Sequence, residues 1–382
     1  MNRPLVLLGL AALLLAAACS KEKNVEPPAE LVDFKASMNI DRVWSVGTGG
    51  GDEHMRLALA PVVEGEIAYL AGDGGDVLAV NAKTGRSIWK VDLKLSLSAG
   101  PGAGGGLVLV GSPDGVLVAL DAASGAERWR ATLGGEILAR PAVGESMVVV
   151  HTVDGTVHGL KAADGAEAWT YEQPVPRLSL RGTAPPVVAG DFAICAFDNG
   201  KIASLGLADG DLFWSATVAT PRGRTELERL VDIDSAVEVA GDDIFVVGYQ
   251  GRAAMLARNS GQIWWARDVS SYRGLTLDDS ALYVSTAEGA VLSLSRRDGT
   301  EQWRQNGLRL RGLTSPVVDG ASIVVGDYEG YLHWLDRDTG EMVARTSAGG
   351  DRITNTPVVA NGMVLVQSDG GTVYAFRSRP RR

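Results

Sequence analysis

From about residue 40 onward, short aliphatic runs alternate with clusters of Gly, Asp and Ser. The clearest run, Val116-Leu-Val-Ala-Leu120, is β-branched and aliphatic, as a buried strand should be. Asp121-Ala-Ala-Ser-Gly125 then supplies turn chemistry: Gly accepts positive φ, and Asp and Ser side chains bond nearby amides. A second, outer strand ends at Trp129. This frame of Gly115, aliphatic run, Gly125 and Trp129 recurs at Gly75/Gly85/Trp89, Gly155/Gly165/Trp169, Gly200/Gly210/Trp214, Gly251/Gly261/Trp265 and Gly289/Gly299/Trp303. A further copy, Gly330/Gly340, has Ala344 in the Trp place, and one at Gly371 stops before its second Gly.

The first glycines of these eight copies lie 40, 40, 45, 51, 38, 41 and 41 residues apart. Periods of that length built from short strands predict an all-β chain, an eight-bladed β-propeller of four-stranded antiparallel blades. No 3.6-residue apolar period runs through the repeats, which excludes a helical solenoid. Pro61, Pro101, Pro141 and Pro186 recur where a strand begins, a place that tolerates a missing N–H. The last copy lacks its outer strand, while Asp41-Arg-Val-Trp44-Ser-Val46 precedes the first copy as a strand without partners. An open blade would expose a sheet edge. The expectation is that the N-terminal strand joins the last blade and closes the ring.

Ahead of the repeats the chain reads as a processing signal. Leu5 to Ala18 is apolar but short for a membrane span, and it ends Ala16-Ala-Ala-Cys19-Ser20. This resembles a bacterial lipoprotein signal, which implies that Cys19 is acylated and becomes the mature N-terminus; a plain signal peptide is the alternative. The expected organisation is a signal peptide over 1–18, a lipid-anchored flexible tether over 19–39, the propeller over 40–378 and a basic tail over 379–382. The membrane would be met through the lipid anchor only. Losing residues 1–18 removes Arg3 from the 36 Lys and Arg and none of the 46 Asp and Glu, so the charge moves from −10 to −11. That sign argues against nucleic acid as a partner. Cys195 is the other Cys of the chain, and its neighbours Phe192-Ala-Ile and Ala-Phe197 predict a buried thiol.

Repeats carry function where they lose regularity, because loops on one face lengthen without disturbing the blades. The 45-residue interval holds Arg177-Leu178-Ser-Leu180-Arg181-Gly182, and the 51-residue interval holds Thr225-Glu-Leu-Glu-Arg-Leu-Val-Asp232-Ile-Asp234. If both follow blades at equivalent positions, Leu178, Leu180, Arg181, Asp232 and Asp234 form one patch of apolar anchors flanked by charge. Alternatively, the leucines plug their own loop and the acids cap turns. Catalytic patterns are missing: His54, His151, His158 and His333 show no metal-ligand spacing, and no serine sits in a G-x-S-x-G elbow. Neither a catalytic nor a metal site is expected. The glycine clusters at 47–51 and 102–106 do not open a helix after a strand, so they read as turns.

The Leu-Asp121-Ala-Ala-Ser-Gly125-Ala-Glu-Arg-Trp129 unit resembles the repeat of the pyrroloquinoline-quinone propellers. The dehydrogenases among them use a vicinal Cys-Cys pair, and this chain has none. Leu178-Ser-Leu-Arg-Gly182, the 225–234 stretch, Leu313-Thr-Ser-Pro-Val317 and Gly326-Asp-x-Glu-Gly-Tyr-Leu-His-Trp334 instead resemble the BamB family, lipoproteins of the outer-membrane β-barrel assembly machinery. That resemblance implies a scaffold without catalysis or cofactor, held on the periplasmic face of the outer membrane. It implies binding to the POTRA domains of BamA through Leu178, Leu180, Arg181, Asp232 and Asp234, assisting the folding and insertion of outer-membrane proteins. Direct contact with unfolded outer-membrane proteins is left open. The alternative is a periplasmic quinoprotein, or a propeller with a small ligand in its central channel.

Overall fold

A computed structural model describes residues 26–51, 57–180, 182–220, 224–225 and 230–381. The described strands form eight four-stranded antiparallel sheets, and no helix occurs among the described residues. Blade 1 covers residues 62–92, blade 2 99–132, blade 3 142–172, blade 4 187–217, blade 5 238–268, blade 6 275–305 and blade 7 317–347. Blade 8 takes three strands from 358–380, and its outer strand is Met38–Gly47 from the start of the chain. The eight-bladed propeller and its closure are as the repeat count requires.

The repeat glycines and tryptophans explain each other. Trp129, in the outer strand of blade 2, lies on Gly165 of blade 3, where a Cβ would come 2.5 Å from the indole. Gly165 also has a φ of +72°, so both the backbone and the neighbour demand glycine. The Trp129 Nε1 donates to Ala162 O at 2.8 Å, which satisfies the indole inside the seam. The same Trp-on-Gly contact joins blades 1 to 2, 3 to 4, 4 to 5, 5 to 6 and 6 to 7. Within a blade, the residue paired with the Trp is small in most cases: Ala79, Ala119, Gly159, Ser204 and Ser293. Met255, opposite Trp265, departs from that rule.

Closure uses the same device. Met38 pairs with Pro380 and Gly47 with Thr372, and Trp44 then packs on Gly85 of blade 1 with its Nε1 donating to Ala82 O at 3.0 Å. Blade 7 alone inverts the large and small partners. Trp334 is opposite Ala344, is fully buried, and donates to Asp319 Oδ2 at 3.0 Å.

Both chain ends differ from expectation at their margins. The strand begins at Met38, and residues 26–37 of the expected tether lie against the ring, with Ala29 N–H donating to Arg309 O and Ser37 N–H to Val343 O. Of the expected tail, Arg379 and Pro380 continue the last strand, and Arg379 pairs with Asp41 at 2.8 Å. Strand pairing outlasts the apolar pattern because the ladder needs backbone groups only. Cys195 is fully buried among Met147, Val149 and Phe197, and that burial pushes its thiol up to about 12.

Candidate functional site

Connections between blades and the hairpins joining each second strand to the third share one side of the disc, the loop face. Hydrogen bonds such as Leu133 N to Gly115 O and Gln173 N to Gly155 O tie the two together. The remaining hairpins make the opposite, turn face. The two long connections follow blades 3 and 4, and their described residues, 173–180, 182–186, 218–220, 224–225 and 230–237, lie on the loop face.

The second connection folds back on blade 5, where Asp232 and Tyr249 exchange backbone hydrogen bonds at 3.4 and 2.7 Å. Leu230, Val231 and Ile233 are buried around it, and Ile233 belongs to the core between blades 4 and 5. Asp232 is thereby carried inside and has no exposed surface. Its Oδ2 accepts the Leu180 N–H at 2.7 Å, so the two connections are joined directly. Leu178 stands beside that joint, 41% exposed, whereas Leu180 and Asp234 are half-buried. Arg181 and Cys19 lie outside the described residues, as does His54.

Four of the five expected patch residues therefore belong to the same pair of loops, in different roles. Leu178 is open to a partner. Asp232 holds the backbone that presents it and cannot flank an interface as an exposed charge, because its neighbours Val231 and Ile233 anchor it in the core.

Asp198, Asp232 and Asp234 bring carboxylate oxygens within 4.8 Å of one another. Burial, and next the Asp234 charge, push Asp198 up to about 7, while the Ser179 hydroxyl bonds to it. Burial and the two neighbouring acids raise Asp232 as well. These oxygens are of the type a hard cation takes. One of them is already engaged by the Leu180 amide.

The loop face leads into a central channel of about 390 Å³, lined by the ends of the inner strands. Arg140, Glu238, Arg273 and Asp234 supply its charge, and Leu57, Leu138, Leu275 and Val317 its apolar wall. The quinone dehydrogenases' vicinal cysteines have no counterpart here, since Cys195 sits in a blade core.

The described histidines serve the fold. His151 is buried against Phe197, with Nδ1 3.2 Å from Ala184 O, and burial lowers it to about 4. His158 bonds Glu167 at 2.9 Å. His333 and Arg311 both donate to the buried Asp327 Oδ2, at 2.9 and 2.8 Å, and Arg311 reaches Ala29 O at 3.0 Å. The strings 313–317 and 326–334 meet here, with Gly326 N–H donating to Thr314 Oγ1 at 2.9 Å, and the N-terminal segment is fastened beside them, contacts that no local pattern in the sequence signals.

The sequence profile of a family described as "Outer membrane protein assembly factor BamB" matches residues 37–93, 73–305 and 288–380. A protein of that name from Pseudomonas aeruginosa is 46% identical over 371 residues, covering 97% of this chain and 98% of the relative. One from Alkalilimnicola ehrlichii is 47% identical over 371 residues, covering 97% and 96%. The crystal structure of BamB from Moraxella catarrhalis superposes with a TM-score of 0.81 at 29% identity, covering 89% of this chain and all of that one. A quinohemoprotein alcohol dehydrogenase from Comamonas testosteroni shares the fold at 14% identity and a TM-score of 0.68, covering 90% of this chain and 78% of its own.

Proposed function

Since the chain belongs to the BamB family of outer membrane protein assembly factors, we propose that it acts as a non-enzymatic scaffold lipoprotein of that machinery. Acylated at Cys19, it is held on the periplasmic face of the outer membrane, where it binds the POTRA domains of BamA. The observation that supports this reading is the joint between Asp232 Oδ2 and the Leu180 amide. It holds a loop on a rigid ring so that Leu178 faces solvent at fixed geometry, as an interface anchor requires. Arg181, in the same loop, sets register by charge. The scaffold then orients its partner while outer-membrane proteins fold and insert.

The test is co-purification of BamA with the full-length chain carrying Leu178→Ala and Arg181→Glu. Binding should be lost while circular dichroism and melting temperature stay at wild type. Retained binding by the folded variant would move the interface to another surface. Mass spectrometry of the mature N-terminus checks the anchor: an unmodified start away from Cys19 refutes it.

A further inference from the structure

In blades 1 to 7 the outer strand reaches its Trp position after two residues near the turn face. In blades 2, 3 and 6 these are Glu127-Arg128, Glu167-Ala168 and Glu301-Gln302, suited to water. Blades 4 and 5 carry Leu212-Phe213 and Ile263-Trp264 instead, and all four side chains are exposed, by 49, 63, 38 and 56%. A third such pair, Met342-Val343 in blade 7, shows what covers it. Residues 26–38 of the same chain cross it with no helix or turn. Ser37 N–H donates to Val343 O at 3.0 Å, and Arg345 Nη2 donates to Val32 O at 3.2 Å. Leu31 and Met38 join the apolar clusters that Met342 and Val343 border.

We propose that the edge formed by Leu212-Phe213 and Ile263-Trp264 docks an extended segment of a partner protein, one that carries apolar side chains flanked by Lys or Arg. Blades 4 and 5 adjoin at this edge: Trp214 packs on Gly261, and its Nε1 donates to Arg258 O at 2.8 Å. Phe213 stands edge-on to Phe192 with ring centroids 4.6 Å apart, so it is held in place while exposed. Both outer strands are the last of their sheets, which leaves outward backbone groups for a further strand. The charge of the partner follows from the surroundings. Asp191, Asp209, Asp211 and Asp242 occupy the adjoining turns and Asp243 opens the next strand, against two cations that are already engaged: Arg258, paired with Asp242 at 3.2 Å, and Arg296, whose Nη2 donates to Ala240 O at 3.3 Å. These acids oppose an anionic lipid surface, and they oppose a second copy presenting the same edge. The edge lies near the turn face, away from the Leu178 loop, so this site and the BamA reading stand or fall separately.

The probe is a fluorescent synthetic peptide alternating Val with Lys, titrated into the full-length chain and followed by anisotropy. Saturable binding should weaken about tenfold or more in Phe213→Ser/Trp264→Ser, as removal of central aromatic anchors does, with melting unchanged. It should also weaken when Glu replaces Lys in the peptide, and should be unaffected by Arg128→Ser on blade 2. Equal binding by the double variant, or by the Glu peptide, would overturn the proposal. So would a loss confined to phosphatidylglycerol vesicle binding, or a dimer that the double variant dissociates in sedimentation. A benzophenone side chain at position 264 of the otherwise unaltered chain should crosslink the peptide. No crosslink there would overturn the site independently of how the serine variant folds.

Discussion

The seam between blades 2 and 3 and the seam between blades 7 and 8 solve one packing problem in different ways. In the first, Trp129 crosses to a glycine of the next blade and bonds a carbonyl of that blade's turn. In the second, the blade ahead has no such turn, because its outer strand comes from the N-terminus. A Trp at position 344 would find no glycine to lie on. The large side chain moves to the partner position instead, where Trp334 bonds Asp319, and Ser378 of blade 8 bonds the same oxygen at 2.7 Å. The difference teaches that the repeat Trp answers to its neighbour in the ring, not to its own blade.

Breaking the exceptional seam should have the largest effect. Trp334→Ala removes a fully buried indole and one partner of Asp319, and should cost about 5 kcal/mol; Trp129→Ala, at a rim position 8% exposed, about 3–4. Chemical denaturation of both variants checks the order, and an unchanged midpoint for Trp129→Ala would count against inter-blade tryptophans as ring supports.

Acid should strain the ordinary seam between blades 3 and 4. His151 is buried there, and its folded pKa of about 4 lies below the ordinary 6.5. Its neutral form is therefore favoured by the fold, and the unfolded chain takes up the proton first as pH falls. The stability it contributes is full above pH 6.5 and is lost on descent toward pH 4, up to about 3 kcal/mol. Melting curves between pH 7 and 4 should show that slope, and His151→Asn should flatten it.

A glycine pair sharpens the comparison further. Gly165→Ala must force a Cβ against Trp129 at positive φ, for about 2–4 kcal/mol. Gly320→Ala has φ of +59° but meets open space, so only the backbone term remains, about 1–2 kcal/mol. Equal losses at the two sites would remove the indole contact from the account. The smallest change expected is Ser378→Ala, about 1 kcal/mol, since Asp319 keeps Trp334 as its donor.

Most of the fold was legible because the repeat writes each blade's needs into its own residues. Gly at the turn and aliphatics in the third strand are local requirements, and Trp recurs with them because each ordinary blade meets the same neighbour, so counting the copies predicted eight blades. The unpaired strand at Asp41–Val46 pointed to closure for the same reason. The candidate site was legible only in part. Two broken intervals located the loops, but nothing local distinguishes Asp232 from Asp234, although one is buried beneath Leu180 and the other lines the channel mouth.

What the sequence determined by itself, then, is the number of blades, their strand order and the glycines and tryptophans that couple them, since each follows from periodicity and backbone sterics. Tertiary structure decided which side chain is a foundation and which is a surface. It buried Asp232 under one loop, laid residues 26–37 over Met342-Val343, and left Leu212-Phe213 and Ile263-Trp264 uncovered. Those outcomes depend on contacts between segments far apart in the chain, and burial is a property of such contacts rather than of any residue alone.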